Sequence, residues 1–464
     1  MLQDRYETDK LFSRILQLTY EMDPVLAQID QLLDDEALYQ LIRNDLARRY
    51  PGTEQTGRKS TPVEVIVRML AVKRLYRLSY EQTEHQVRDS LVLRQFCRVY
   101  LNEAPDDTTL IRWAALVQPG TLEQFNQRLI ELARQLKVTK GRKLRTDGTV
   151  VETNIHPPSD SSLLADSVRV LGRSLSRARQ VLGEEAQLGQ AVFRNRIRNV
   201  RRLARQVGEA MRKGSETAKV EGMAAYRQLV KAAQASIRQA RQVLPALRAS
   251  TAGGAKKLAG ILDTFLPRAE QVVDQTVRRV FEQQKVPAGQ KIVSLFEPHT
   301  AIIRRNKAHK PTEYGHKVWL DEVEGGLVTR WQVLEGNPPD SQQWAASLQH
   351  HRQLFEHPPD QASADRGVHS ADNERLAHEQ GVRRVILPQP GKKSEARRKH
   401  ERQAWFVRGR KWHAGVEGRI SVLKRRFGLD RCPDHHQTGF EKWVGWGVIA
   451  ANLRMIAQKA AAEI

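Results

Sequence analysis

Residues 144–151, LRTDGTVV, alternate in residue type and carry one carboxylate, Asp147, near their middle. Side chains of a strand point alternately to the two faces of a sheet, so the pattern predicts a β-strand in which Arg145, Asp147 and Thr149 share one face. An acid in the middle of a strand needs a basic neighbour or a function. The segment therefore restricts the chain to folds with a strand that presents Asp147. An ion pair with a nearby Arg is the simpler explanation until further acids follow in the right order.

The charge balance of the chain limits its partners. The 464 residues carry 76 Lys and Arg against 53 Asp and Glu, a net charge of +23 spread along the chain. This excess favours nucleic acid as the partner, with an anionic membrane second. No apolar run approaches the roughly 20 residues of a spanning helix, and residues 1–10 are too polar for a signal peptide. Two cysteines, Cys97 and Cys432, supply neither a disulfide framework nor a four-ligand zinc site, which favours a reducing cytoplasm.

Short helices with clear N-terminal signals are predicted before the Asp147 strand. Residues 61–64, 79–82 and 121–124 have the spacing of capping boxes, and Asp106 has the character of an N-cap. Short helices with tight connections are what a helix-turn-helix DNA reader needs, and a plain helical bundle that supports the next domain fits equally well. Residues 1–138 are therefore predicted to be a helical region that binds DNA.

Long helices without strand signals are predicted from residue 163 to residue 284, where apolar residues recur at intervals of three and four. They are expected to pack as an antiparallel hairpin or bundle. The Arg residues between 194 and 202 fit either a phosphate-binding face or a solvated surface. We therefore predict an all-α insertion over residues 163–288.

Strand patterns resume at residues 292–296, 315–321 and 327–333, and the two glycines before residue 327 predict a hairpin turn. A second carboxylate, Asp365, ends a short and weakly apolar segment. A helix over 371–379 and a strand over 382–387 follow. These elements predict an antiparallel meander and then a further strand that carries an acid.

Pro388 and Pro390 end the regular secondary structure, and a basic segment follows them. This segment is the clearest phosphate-binding candidate in the sequence. The cations of this basic segment are Lys392, Lys393, Arg397, Arg398 and Lys399.

The third carboxylate, Glu417, lies on the helix predicted after the basic segment. Spacings of three and four place Glu417 on one stripe of that helix together with four neighbours. A solvent-facing Glu that is balanced by bases at helical spacing is the alternative interpretation. The stripe consists of Arg410, His413, Glu417, Ser421 and Lys424.

The order of these elements is a strand with Asp147, antiparallel strands, a helix, a short strand with Asp365, a helix, a strand, the basic segment and a helix with Glu417. That is the order of a ribonuclease-H-like core. The predicted fold class is therefore mixed α/β, with a ribonuclease-H-like catalytic core formed by residues 139–162 and 289–464.

These motifs resemble the DDE transposases of bacterial insertion sequences, in particular the unclassified group called ISNCY, over most of the chain. The resemblance also covers the N-terminal part through Leu91 and Trp113. The matching pieces are RTDGTVVETN (145–154), VSLFEP (293–298), YGHK (314–317), Gly336-Asn337, DRG (365–367), and Glu417 followed by Lys424.

Such families carry a Tyr, Arg, Glu, Lys series at the positions that hold Arg410, His413, Glu417 and Lys424 here, so only the last two match. Arg410 and His413 join the basic segment as candidates for binding DNA. The resemblance implies that Lys424 holds a phosphate near the cut as a point charge.

The resemblance implies that Asp147, Asp365 and Glu417 are catalytic and coordinate two Mg²⁺ or Mn²⁺ ions. Two ions ~3.5 to 4 Å apart activate the attacking oxygen and stabilise the leaving oxygen in an in-line displacement at phosphorus. Water would cut at the transposon end, and the freed 3′ hydroxyl would then join that end to target DNA. Three other acids are candidates for these roles, and they are Glu152, Asp321 and Asp372. Asp372 ranks lowest because it begins a predicted helix.

The implied partners are the terminal inverted repeats of the element and target DNA, bound by a homodimer or higher oligomer in the bacterial cytoplasm, at the nucleoid. Two other functions fit the same acids. One is a ribonuclease-H-like nuclease or junction resolvase without strand transfer, and the other is an inactive domesticated relative that only binds DNA. Strand joining would separate a transposase from a nuclease.

Overall fold

The computed structural model is a mixed α/β fold in two compact units, each with its own hydrophobic core. Unit 1 comprises Met1–Asn154 and His316–Ile464, and unit 2 comprises Ile155–Gly315. None of the described helices is both long and apolar enough to cross a membrane. The structure describes residues 1–19, 22–57, 59–183, 189–213, 215–304 and 310–462.

The N-terminal part of unit 1 is helical, as predicted. The predicted capping box at 79–82 is confirmed at the start of one helix, whereas the boxes at 61–64 and 121–124 are wrong. The first of these helices begins after Pro62, its N-cap, whose side chain accepts no hydrogen bond. The second begins at Pro119, because proline already has the φ that a first helical turn needs. The helices are α1 (Lys10–Thr19), α2 (Pro24–Leu33), α3 (Glu36–Ala47), α4 (Val63–Leu75), α5 (Tyr80–Asp89), α6 (Leu91–Phe96), α7 (Asp107–Leu116) and α8 (Pro119–Gln135).

The strands of the described residues are β1 (Lys143–Thr153), β2 (Ala301–Arg304), β3 (Thr312–Val323), β4 (Leu327–Leu334), β5 (Gln361–Ser363), β6 (Arg384–Ile386) and β7 (Arg431–Cys432). In unit 1 the order across the sheet is β4-β3-β1-β5-β6, and β7 pairs with the end of β1. Strands β5 and β6 run parallel to β1, whereas β4 is antiparallel to β3. The predicted strands around Asp147 and at 315–321, 327–333 and 382–387 are therefore confirmed, with β6 shorter than expected.

The predicted hairpin turn joins β3 to β4 and also positions the start of β1. Gly325 and Gly326 have positive φ angles of 94° and 76°, and a Cβ on Gly326 would lie 2.1 Å from the Arg419 guanidinium. The Glu324 carboxylate accepts hydrogen bonds of 2.8 to 3.0 Å from the backbone N–H groups of residues 140, 142 and 143. The turn therefore holds the chain where it enters β1.

Unit 2 is a helical bundle, and strand β2 pairs within it with the first four residues of β3. Its apolar side chains at intervals of three and four form a core that is separate from the core of unit 1. The long predicted helices are thus confirmed. They are α9 (Asp160–Leu182), α10 (Ile197–Lys213), α11 (Glu216–Ala249) and α12 (Ala255–Thr276).

The strand predicted at residues 292–296 is wrong, because side chains of α12 satisfy its backbone instead. The Gln275 amide accepts from the Ile292 N–H at 2.9 Å and donates to the Ile292 carbonyl at 3.1 Å. Arg268 donates to the Leu295 carbonyl at 2.7 Å. A segment whose backbone groups are bonded to side chains does not need a partner strand.

The helices that follow the meander cover the sheet of unit 1. Gly409 and Gly415 let one of them, α16, lie close to the strands, since a Cβ on either residue would be 2.5 Å from a side-chain atom of Ile386 or Arg145. Another, α17, is largely buried and packs against α2, α4, α8 and β4. These helices are α13 (Trp344–Phe355), α14 (Ala371–Glu379), α15 (Glu395–Glu401), α16 (Ala404–Phe427) and α17 (His436–Ala462).

Candidate active site

Strand register brings two of the predicted acids together. Strands β1 and β5 are parallel, and Arg145 lies opposite Ser363 in their last registered pair. Asp147 and Asp365 each come two residues after that pair, so they lie level with each other on neighbouring segments of the sheet. Because they are close, the negative charge of Asp365 raises the pKa of Asp147.

Asp147 is short of compensating positive charge. Burial, and after it the charge of Asp365, raises the pKa of Asp147 to about 6, and Asp340 adds to the rise. The Gly148 N–H, which donates to Oδ1 at 2.7 Å, and the nearby His413 oppose it. No Lys or Arg forms an ion pair with Asp147 in the part of the chain that the structure describes. An acid in this environment favours a bound cation.

His413 forms a hydrogen bond with the second acid, Asp365. Its Nε2 lies 3.3 Å from Oδ1 of Asp365, and this hydrogen bond lowers the pKa of Asp365 against the opposing effect of burial. The His413 side chain is buried on α16, whereas 68% of the Asp365 side-chain surface is exposed. The Nδ1 atom of His413 has no hydrogen-bond partner among the described residues. A buried base thus fixes an acid that faces solvent.

Asp340 and Lys317 are site residues that the sequence analysis missed. Lys317 Nζ lies 2.5 Å from Oδ1 of Asp340 and donates to the Pro338 carbonyl at 2.9 Å. A Cβ on Gly148 would lie 3.1 Å from Lys317 Cε and 3.4 Å from Asp340 Oδ1. The pair therefore lies directly beside β1, next to Asp147. We call Asp147, Asp365, Asp340, Lys317 and His413 the acidic corner.

Part of this pair had a signal in the sequence. Lys317 belongs to one of the segments that carry the resemblance, YGHK (314–317). Asp340 begins a 3₁₀ turn, Asp340–Gln343. Only the contact of that turn with β1 distinguishes Asp340 from an ordinary helix-starting acid.

A second cluster lies two residues earlier on β1. Arg145 donates to both carboxylate oxygens of Glu322, at 2.8 and 2.7 Å, and to the Trp412 carbonyl at 2.5 Å. Arg419 adds an ion pair to Glu322 at 3.4 Å. We call Arg145, Glu322, Trp412 and Arg419 the clamp. Trp412 precedes His413, so the clamp fixes the turn of α16 that delivers His413 to the acidic corner.

Glu417 and its helical neighbours lie on α16, as predicted, but Glu417 is exposed. Its side chain makes no hydrogen bond or ion pair with any described residue. No group of three or more His, Cys, Asp or Glu side chains in the described ranges is arranged to hold a metal ion. Glu417 comes one helical turn after His413 and therefore shares its face of α16. Arg410 is exposed on the same helix, and Lys424 is half-buried.

The competing acids all have partners of their own. Glu152 pairs with Arg431 at 3.1 Å. Asp321 is fully buried, which raises its pKa, and its carboxylate accepts from the Ser347 hydroxyl at 2.7 Å. The third, Asp372, is 81% exposed in the first turn of α14 and pairs with a neighbouring Arg. Burial alone therefore does not distinguish Asp147, whereas a second nearby carboxylate does.

The basic segment divides into two kinds of cation. Lys393 and Arg397 form ion pairs with the buried Glu401, and Arg397 also pairs with Glu374 at 2.7 Å. These contacts lower the pKa of Glu401 to about 2, against the effect of burial. The other three cations are exposed, and they are Lys392, Arg398 and Lys399.

Comparison with known proteins connects the N-terminal helices to a family. Residues 14–116 match the model of a family described as a transposase domain (DUF772). The matched residues include all of α2 to α7 and do not include the acidic corner. No curated protein and no solved structure matches the chain. The match supports a transposase family and hence a protein that acts on DNA.

Proposed function

We propose that this protein is a DDE-type DNA transposase, which binds the ends of its insertion sequence, cleaves phosphodiester bonds and joins the 3′ hydroxyl ends to target DNA. The observation that carries the proposal is the acidic corner, where Asp147 and Asp365 lie level on neighbouring segments of the sheet. Among the described residues, no Lys or Arg forms an ion pair with Asp147. The strand order β4-β3-β1-β5-β6 supports a ribonuclease-H-like core. The transposase-domain match at residues 14–116 supports the reaction class.

The donor set fits a hard divalent cation. Asp147 and Asp365 provide carboxylate oxygens, which Mg²⁺ and Mn²⁺ prefer, and burial, followed by the negative charge of Asp365, raises the pKa of Asp147. We propose Glu417 as the third ligand, because it shares a face of α16 with His413 and no described residue holds its side chain elsewhere. Two such ions, when bound, polarise the scissile phosphate and activate the attacking oxygen.

The chain's own residues position these acids. The Gly148 N–H orients the Asp147 carboxylate, and His413 orients that of Asp365. Lys317 pairs with Asp340 and so offsets part of the repulsion that this third acid of the acidic corner adds. His413 acts through Asp365 and is a positioning residue. Lys424, further along α16, is proposed to hold a DNA phosphate near the cut.

The test uses the full chain, DNA that carries the element's own ends, and Mg²⁺. Asp147→Asn, Asp365→Asn and Glu417→Gln should each lower cleavage and joining by more than about a hundredfold, because even outer-shell partners of a metal are worth ~10- to 100-fold. DNA binding without metal should be retained. Sequencing of the products distinguishes joined ends from simple cuts.

Asp372→Asn is the matched control, since it removes an exposed acid that is paired only locally. It should cleave and join like the unchanged protein. An active Glu417→Gln variant at saturating Mg²⁺ would remove Glu417 from the ligand set. Cleavage without any joining would instead make the protein a nuclease.

A further inference from the structure

Unit 2 contains a cavity of about 400 Å³ that the acidic corner does not share. Its walls are the start of α9, the end of α12, the segment after α12, and strand β2 with the first residues of β3. Four cations line it, and we call them the basic pocket: Arg279, Lys285, Lys291 and Arg304.

The negative charge that lines this cavity is already paired with one of its cations. Asp160 is the one acid among the described lining residues, and both of its oxygens accept from Arg279, at 3.0 and 2.9 Å. Lys285, Lys291 and Arg304 make no side-chain hydrogen bond or ion pair with any described residue. The cavity therefore has three cations available to a ligand.

The cations are close enough to repel each other. Burial, and after it the charge of Arg279, lowers the pKa of Lys291, and Arg304 and Lys285 lower it further, with Asp160 alone opposing them. Lys285 and Arg304 are exposed and Lys291 is half-buried. Such a cluster is stabilised when an anion enters.

Two further features of the wall suit a phosphate. The N-terminal end of the 23-residue helix α9 lines the cavity through Ser159 and Asp160, and a helix N-terminus carries partial positive charge. Tyr314 and Thr312 add hydroxyl groups to the lining. Hydroxyl and cationic side chains are the groups with which proteins contact the DNA backbone.

We propose that the basic pocket binds a phosphodiester group of DNA and so gives unit 2 its own contact with the DNA backbone. The proposal rests on the proposed function only in taking DNA as the polyanion. The contact would hold DNA of any sequence, because phosphates carry no sequence information.

The test compares two triple variants of the full chain in binding assays with EDTA and without divalent metal. Lys285→Gln, Lys291→Gln and Arg304→Gln together remove the available cations, while Arg279 is kept because it pairs with the buried Asp160. The matched control has the same loss of charge on the same unit, at exposed cations that are already ion-paired. It combines Lys219→Gln, Arg241→Gln and Arg248→Gln, whose partners are Glu216, Glu270 and Asp263.

Affinity is measured over a salt series, on the element's ends and on random DNA. The log–log salt slope should become shallower by about one in the pocket variant, at ~0.9 for the phosphate that the pocket no longer neutralises, equally on both DNAs. The control should keep the slope of the unchanged protein. Thermal unfolding of both variants checks that each is folded.

Three results would overturn the proposal: an unchanged slope in the pocket variant, an equal change in the control, or a loss confined to the element's ends. The binding assay does not depend on cleavage, so its outcome is separate from that of the proposed reaction. A protein that binds DNA through the pocket and never cleaves it would keep this inference and contradict the transposase proposal.

Discussion

The clamp and the acidic corner are two residues apart on β1, and they handle buried charge in opposite ways. In the clamp, Glu322 is buried and receives Arg145 at both carboxylate oxygens, with Arg419 beside it. In the acidic corner, Asp147 has a second acid for a neighbour and a raised pKa. The same strand and the same helix, α16, border both clusters.

This difference separates a structural acid from a candidate functional one. A buried carboxylate that is matched by two guanidinium groups has little reason to attract a further cation. An acid whose charge is not compensated by its neighbours lowers the stability of the fold. Such acids are found where they serve binding or catalysis. The clamp also positions the acidic corner, because Arg145 donates a hydrogen bond to the α16 backbone at Trp412, next to His413.

The largest expected effect tests the clamp. Glu322→Gln leaves the half-buried Arg145 and Arg419 without their acid, so we expect the free energy of unfolding to fall by about 3–5 kcal/mol. Urea unfolding at pH 7 measures it. If the variant does not fold, combining it with Arg145→Met should restore part of the stability by removing the stranded charge. A Glu322→Gln protein as stable as the unchanged one would end the comparison.

The next effect tests the acidic corner through pH. An unfolded Asp has a pKa of about 3.9, whereas the folded value for Asp147 is about 6. The folded state therefore binds this proton more tightly. Its contribution to stability is fully present below pH ~4 and is lost as pH rises through ~6, a change of up to about 3 kcal/mol. Asp147→Asn should lack this loss.

The measurement is the difference in unfolding free energy between Asp147→Asn and the unchanged protein, from pH 4 to pH 7, with EDTA. The variant should gain relative stability as pH rises. A difference that stays constant over this range would mean that Asp147 is neutralised by a partner, as Glu322 is.

A smaller effect comes from metal at pH 7. Mg²⁺ that binds the folded state stabilises it by about 2.7 kcal/mol at a free concentration of ~100 times Kd. We expect thermal unfolding of the unchanged protein to shift upward with Mg²⁺ or Mn²⁺, and that of Asp147→Asn to stay almost constant. Glu322→Gln, if folded, should still respond, since its acid lies in the clamp. Equal shifts in all three proteins would place the ion elsewhere.

The smallest effect is that of an acid in neither cluster. Asp372→Asn removes an exposed ion pair with Arg375, so the free energy of unfolding should change by less than about 0.5 kcal/mol. Its metal response should match that of the unchanged protein. A larger change would show that surface charge in general, and not the difference between the two clusters, governs stability here.

Local pattern was enough to predict much of the secondary structure. Alternation predicted β1 and the β3–β4 hairpin, and spacing at three and four predicted the helices of unit 2. The strand predicted at residues 292–296 failed because another part of the chain supplies the backbone's partners, with Gln275 and Arg268 in place of a neighbouring strand. A local pattern contains no information about such partners.

The candidate site divides in the same way. The residue types and their order by themselves determined that Asp147, Asp365 and Glu417 were the acids to consider, since each stood on an element of predictable type. Tertiary structure decided which charges meet. Parallel register placed Asp365 beside Asp147, a 3₁₀ turn brought Asp340 against β1, and α16 delivered His413. Side-chain charge is a property of the residue, whereas compensation of that charge depends on distances of a few ångströms between segments far apart in the chain, and only packing sets those distances.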